Sequence, residues 1–228
     1  MNTNIVSYIL LVFLLVFLIG ILSRFRPAPT QEIIEGLYAL RCLIVNFYAV
    51  KTTEGVVLFD TGISAATAKR SLRKLGIEPD EVTHVFLTHT DYDHVGGLGA
   101  FAHATWYIPQ AEEQMVNGQT TRRLFMHNRL SAPYQTLKDG QTVVVGDSEI
   151  QLFSTPGHTP GSASYLIDRR FLVTGDLLRI TRKGAVLPFL RFMNKNHRQD
   201  IQSVEAIRPV VEEVQCLLTG HTGFAKRC

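Results

Sequence analysis

The sequence predicts an α/β domain built from two strand-rich halves, carried behind one N-terminal transmembrane helix. Three observations predict it. An uncharged apolar run fills residues 5–22, interrupted only by Ser7, Tyr8 and Gly20. Short runs rich in β-branched and aromatic residues recur over 37–108 and again over 142–219, with helical patterns beside each group. Several of these runs end in His or Asp rather than in ordinary turn residues. At 228 residues and 46% hydrophobic, the chain can bury one ordinary domain and still carry an appendage.

The apolar run is about as long as a helix that crosses a hydrocarbon core. Residues 1–4 carry no Lys or Arg, and no small-residue cleavage site follows, so an uncleaved anchor over 1–26 is favoured over a signal peptide. Arg24 and Arg26 follow at once, whereas the first acidic residue is Glu32. The positive-inside rule then places a single-pass protein in the cell membrane with its domain in the cytoplasm. Cys42, Cys216 and Cys228 form an odd set without framework spacing, in keeping with a reducing compartment. Pro27-Ala28-Pro29-Thr30 opens a linker over 27–35, and the folded domain takes 36–228.

Within the domain, residues 37–40, 43–50 and 56–59 read as consecutive strands. Residues 65–75 read as an amphipathic helix with Lys69, Arg70, Arg73 and Lys74 toward solvent. Strands follow at 82–87 and 106–108, then a helix over 110–117 ended by Gly118. Residues 142–145 and 149–153 flank Gly146-Asp147 as a hairpin, and 163–167 and 171–174 flank Asp168-Arg169-Arg170 as another. Residues 199–214 read as a helix interrupted or restarted near Pro209, before a last strand that begins at Cys216.

The strand ends carry the chemistry. His89, Asp91, Asp93 and His94 crowd two imidazoles and two carboxylates into six residues directly after the apolar run 85–87. Such groups would repel or stay unpaired without a cation to gather them. Gly96 and Gly97 then allow a tight turn into a helix. His158 lies in a Gly/Pro loop at 155–161, Asp176 ends the run that begins at Phe171, and His221 ends the run that begins at Cys216. Nitrogen and carboxylate groups in that number suit two first-row divalent ions. No Ser or Cys sits in a recognisable nucleophile elbow. His84, His103, His127 and His197 read as surface or partly buried side chains, Thr90 and Tyr92 as local packing, and Thr155 and Thr159 as loop-shaping.

On these residues the chain resembles the metallo-β-lactamase superfamily. That family's pattern of His-x-His-x-Asp-His, a distant His, a bridging Asp and a last His falls on His89, Asp91, Asp93, His94, His158, Asp176 and His221. The resemblance spans roughly 36–223 and implies a four-layer αβ/βα sandwich with metals along one edge of two packed sheets. It implies two divalent ions, zinc favoured, with Asp176 bridging them and Asp93 both binding the second ion and accepting a proton. The implied reaction is attack of metal-bound hydroxide on an ester, thioester or lactone carbonyl of a small molecule. Asp60, in Leu-Phe-Asp-Thr-Gly at 58–62, matches a family Asp that sits beside the site and orients a ligand imidazole.

One position departs from the pattern. Asp91 stands where the family usually has His, which makes the first site more negative and raises Fe or Mn against Zn there. The other reading is that Asp91 binds poorly and only the second ion is held tightly. The flavodiiron branch also has a carboxylate here, which keeps a diiron redox protein as a distant alternative, although no segment supplies a flavin domain.

Between 177 and 199 no Asp or Glu occurs, while Arg179, Arg182, Lys183, Arg191, Lys195 and Arg198 alternate with apolar residues. This stretch reads as a pocket-building insertion, a membrane-surface patch or a plain solvated loop. Its charge favours a phosphodiesterase as the competing activity, and Arg122, Arg123 and Arg129 extend the same positive face. The net charge of +3 is modest, so no nucleic-acid partner is expected.

Overall fold

The computed structural model describes residues 3–122, 129–130 and 132–227; Arg123, His127 and Cys228 lie outside the described residues. Helix α1 (Thr3–Leu22) is unbroken over 20 residues. Its described apolar side chains, among them Tyr8, Leu11, Phe13 and Val16, are exposed. The side chains at 14, 17 and 18 are among several in α1 outside the described set. Among the described residues, no helix is long and apolar enough to cross a membrane. A helix does form where a transmembrane segment was expected over 5–22, but the described residues do not support a membrane crossing.

The first half contains β1 (Gln31–Ile34), β2 (Leu37–Cys42), β3 (Val45–Thr52), β4 (Gly55–Phe59), α2 (Ala65–Arg73), β5 (Val82–Phe86), α3 (Tyr92–Val95), β6 (Thr105–Pro109), α4 (Glu113–Val116) and β7 (Gln135–Leu137). Its seven strands form one sheet in chain order, antiparallel from β1 to β4 and parallel from β4 to β7. The second half contains β8 (Thr142–Val145), β9 (Ser148–Ser154), β10 (Ala163–Ile167), β11 (Phe171–Val173), β12 (Leu178–Ile180), β13 (Val186–Pro188), α5 (His197–Glu213), β14 (Cys216–Thr219) and β15 (Gly223–Lys226). Six of these strands form a second sheet in the order β15-β14-β11-β10-β9-β8, and β12 and β13 pair as a separate hairpin.

The layers follow from period-2 alternation in strands buried on both faces. In β4, Val57 and Phe59 face the second sheet, where they meet Leu152, Tyr165 and Val173. Their neighbours Val56 and Leu58 face the other way, onto Ala68 and Leu72 of α2. The second sheet repeats the arrangement. Phe171 and Leu218 point inward, while Leu172 and Leu217 pack on Ile207 and Val211 of α5. The result is helix, sheet, sheet, helix. Phe59, Phe86, Tyr107 and Tyr165 stack at its centre. Truncating a ring such as Phe86 would cost about 3–5 kcal/mol in lost burial and cavity.

Several elements differ from expectation. The strand expected from residue 43 starts at Val45, because Leu43 takes a left-handed φ of 59° and turns the β2–β3 hairpin with Ile44. Residues 110–117 are a 3-10 turn followed by the single turn α4 rather than one helix. Pro209 does not interrupt α5, which runs through it. The ring lies on the exposed side, and Ser203, Ile207 and Val211 keep the opposite face buried, so only one backbone bond is lost. Gly96 closes α3, and Gly97 leads into a short 3-10 helix over Leu98–Phe101, as the expected turn into a helix requires. A Cβ at either would lie about 2 Å from the carbonyl of Ile63 or Thr61 (2.1 and 2.2 Å), so it is close approach that requires glycine. Segment 27–35 contributes β1 to the first sheet, and Ala28 bonds to the Asn46 side chain.

Candidate metal centre

The expected residues converge at one edge, beyond the C-terminal ends of β4, β5, β9, β11 and β14. These supply Asp60, then His89 to His94, then His158, Asp176 and His221. His89, His158 and Asp176 form one group in which the ligand-type atoms lie within 4.8 Å of one another, and Asp93, His94 and His221 form a second. Asp176 faces both. Its Oδ1 is 3.5 Å from His94 Nε2, and its Oδ2 is 3.4 Å from His158 Nε2 and 3.2 Å from His221 Nε2. Asp93 Oδ2 is 3.3 Å from His221 Nε2. Gly220 makes room for this, since a Cβ there would meet Asp176 Oδ1 at 2.5 Å.

Each imidazole is held by its Nδ1, and each by a different partner. His94 Nδ1 meets Asp60 Oδ2 at 2.7 Å, and His221 Nδ1 donates to Ile44 O at 2.8 Å. His89 Nδ1 lies 2.9 Å from Thr88 Oγ1, and His158 Nδ1 lies 3.2 Å from Asn194 Oδ1. All four Nε2 atoms therefore turn to the centre. Three of them, on His89, His94 and His221, are buried without a hydrogen-bond partner, as is Asp176 Oδ1. Orphaned buried polar atoms are costly, and four aimed at one point fit the donor set of a divalent cation. Asp60 does what its family match implies. It also accepts from Thr88 N and Oγ1, while Thr61 N and Oγ1 hold the carbonyl of His94.

The electrostatics agree. Burial alone would lower the imidazoles, and with like charge from His94 and His158 it keeps His89 well below its ordinary range. Against burial, Asp60, Asp176 and Asp93 hold His94 well above that range. Against the same burial, Asp176 and Asp93 push His221 up to about 10. Burial would raise Asp176, yet His221, His94 and His158 hold it well below the usual carboxylate range.

Asp91 is arranged differently. Its Oδ2 lies 3.2 Å from His158 Nε2 and 3.7 Å from His89 Nε2, but 2.8 Å from Arg122 Nε. Arg122 thus offsets the extra negative charge expected at the first site. The Asp91–Arg122 pair is neutral as it stands, and the extra negative charge expected of Asp91 returns wherever the guanidinium gives way.

Two residues were not legible as parts of the site. Arg122 is one. The other is Glu112, fully buried, which accepts from Thr90 N and Oγ1 on one oxygen and from Thr159 Oγ1 and Gly161 N on the other. It ties the loop of His89 to the loop of His158. Burial raises its carboxyl, and the bonds from Thr159 and Thr90 partly offset this. Thr90 is therefore no local packing residue, because its partner is 22 positions away. Neither residue belongs to a motif, so no spacing announces it.

The basic segment contributes directly. Phe189 is buried 5.5 Å from both His158 and His221, ring to ring. Phe25, three residues past α1, stacks on His221 at 4.4 Å, and Arg26 N donates to His221 O. Of the other histidines, His84 and His197 are half-buried and His103 is exposed. Tyr92 is exposed.

A four-layer αβ/βα sandwich with paired His/Asp groups at one edge defines a metallohydrolase architecture. Residues 40–221 match the sequence profile of the metallo-β-lactamase superfamily, and the chain belongs to that superfamily. It is 28% identical over 206 residues to the uncharacterised protein YobT of Bacillus subtilis strain 168, covering 80% of this chain and 84% of that one. It is 26% identical over 148 residues to an N-acyl homoserine lactonase of a Bacillus species, covering 53% of this chain and only 57% of the lactonase. In fold it resembles a B3 metallo-β-lactamase with an active-site glutamic acid (TM-score 0.69, 20% identity, 90% of this chain and 85% of that one). It also resembles the subclass B3 enzyme BJP-1 of Bradyrhizobium japonicum (0.67, 20%, 87% and 79%).

Proposed function

We propose that this chain is a membrane-anchored hydrolase that holds two divalent ions, zinc in both positions, and cleaves an ester-type carbonyl, a lactone foremost. Family membership makes it a metal-dependent hydrolase, and the lactonases among its relatives support a small-molecule substrate. The observation that carries the reading is the set of four imidazoles tied at Nδ1 with Nε2 turned to one centre beside two carboxylates.

In this reading His89, His158 and Asp176, with Asp91 alongside, hold one ion. Asp93, His94 and His221 hold the other, and Asp176 lies between. When bound, such ions polarise a carbonyl oxygen and acidify water to near neutrality. The chain's own residues do the rest. Asp93, whose side chain is 29% exposed where those of Asp176 and the histidines are closed, is placed to take a proton at Oδ2. Asp60 fixes the ring of His94, and Phe25 and Phe189 exclude water from one side of His221.

The lactone is favoured by the likeness to N-acyl homoserine lactonases. A phosphodiester is the second reading. It is favoured by the basic segment, which reaches the site where Lys195 N donates to His158 O at 3.1 Å. A diiron redox protein is the least favoured reading, since Asp91 alone suggests it. The anchor is assigned to 1–26 and the catalytic domain, facing the cytoplasm, to 36–228 together with the segment 27–35 that was expected to be a linker but carries β1. Arg24 and Arg26 beyond the uncharged run support that placement.

Zinc-loaded full chain assayed on N-acyl homoserine lactones, simple esters, thioesters and phosphodiesters tests the assignment. Lactone opening should exceed phosphodiester cleavage. Cleavage of phosphodiesters alone would move the assignment to the second reading.

A further inference from the structure

We propose that Arg122 closes one half of the centre, so that the two halves take up metal unequally. The first ion enters at Asp93, His94 and His221, and the second enters only as the guanidinium gives way. This rests on the dinuclear reading above and concerns how its two positions differ.

The observation is an asymmetry among buried atoms. His89 Nε2, His94 Nε2, His221 Nε2 and Asp176 Oδ1 have no hydrogen-bond partner. His158 Nε2 and Asp91 Oδ2 do: they lie 3.2 Å from each other, and one further side chain reaches both. Arg122 Nη2 lies 3.2 Å from His158 Nε2, and Arg122 Nε lies 2.8 Å from Asp91 Oδ2. His158 Nδ1 faces an acceptor, Asn194 Oδ1. The ring proton therefore belongs on Nδ1, and the Nε2 lone pair accepts from Arg122. A metal would need that same lone pair.

Arg122 is seated, not adrift. Its side chain is only 15% exposed, and it also donates to the carbonyl of His158 and, at 2.8 Å, to that of Met193. A guanidinium stays protonated at any ordinary pH. It cannot yield the site by losing its charge, only by moving. While in place it repels a divalent ion at the first position. Asp91 then serves as the counter-ion that holds Arg122, which accounts for an Asp where the family usually has His. The second half has no such occupant, and its orphaned atoms stand ready for metal.

Zinc titrated calorimetrically into metal-free full chain in detergent micelles tests this, with cobalt(II) absorption as a second readout of the ligand set. The wild type should show two steps, the second at least about tenfold weaker, or about 1.4 kcal/mol. Arg122→Met, which keeps the apolar stem, should tighten the second step by about tenfold and leave the first unchanged. Arg122→Gln, which removes the charge and leaves Asp91 in place, should do the same, so the test survives if Arg122→Met fails to fold. Two equal steps in the wild type would overturn the proposal and leave the dinuclear reading standing. A second step weakened in Arg122→Met would also overturn it, because the arginine would then be supporting Asp91 as a ligand. No zinc uptake by the wild type would overturn both.

Discussion

His94 shows how this site is made at the scale of single residues. Its ring is held by Asp60, its carbonyl by Thr61, and its Nε2 is left for the centre. Asp60→Ala should therefore weaken zinc binding about 10- to 100-fold without unfolding the domain; unchanged affinity by calorimetry would show that the Asp60–His94 bond is idle. Glu112 works between loops. Removing its carboxylate takes away the acceptor that four donors from two loops share. Glu112→Ala should cost about 3 kcal/mol or more by urea denaturation, and a loss below about 1 kcal/mol would refute that role. His89, His94, His158, Asp176 and His221 could be read from sequence because they gather in the loops just after apolar runs. Glu112 and Arg122 could not, since their partners lie 22 to 71 positions away and only the fold brings them together.

At the scale of elements, α5 carries both a misreading and a test. Pro209 suggested a break, but a helix whose buried face is intact tolerates one lost bond on its exposed side. The short strands β1, β7, β12, β13 and β15 have three or four residues each, too few for a pattern to register. In the first turn of α5 lies Asp200, fully buried, with neither oxygen hydrogen-bonded. Burial raises its carboxyl to about 7 from 3.8, partly offset by His158. The raised value means the folded state holds a proton that the unfolded state releases. Its contribution is fully present below about pH 3.8 and is lost as pH rises to about 7. Asp200→Asn should raise Tm by a few degrees at pH 8 and change it little at pH 4. An equal change at both pH values would contradict the shift.

At the scale of the whole molecule, the two strand groups of the sequence became two sheets, and their strand ends became one edge. The segment after α1 joins that edge, since Phe25 stacks on His221 and Arg26 bonds to the carbonyls of His221 and Ile180. An anchored α1 would hold the site beside the bilayer. Full chain should stay with membranes through high salt and alkaline washing, because salt screens surface charge but does not release a spanning helix. Chain lacking residues 1–22, which keeps Phe25 and Arg26 in place, should be released. Release of the full chain by salt would remove the anchor.

The central claim is that this cluster works as a metal centre. Its most direct test is the rate of N-acyl homoserine lactone opening by chelator-stripped full chain as zinc is added back. The rate should start near zero and climb with zinc to saturation. Full activity before any zinc is added, or none at any zinc concentration, would contradict the account.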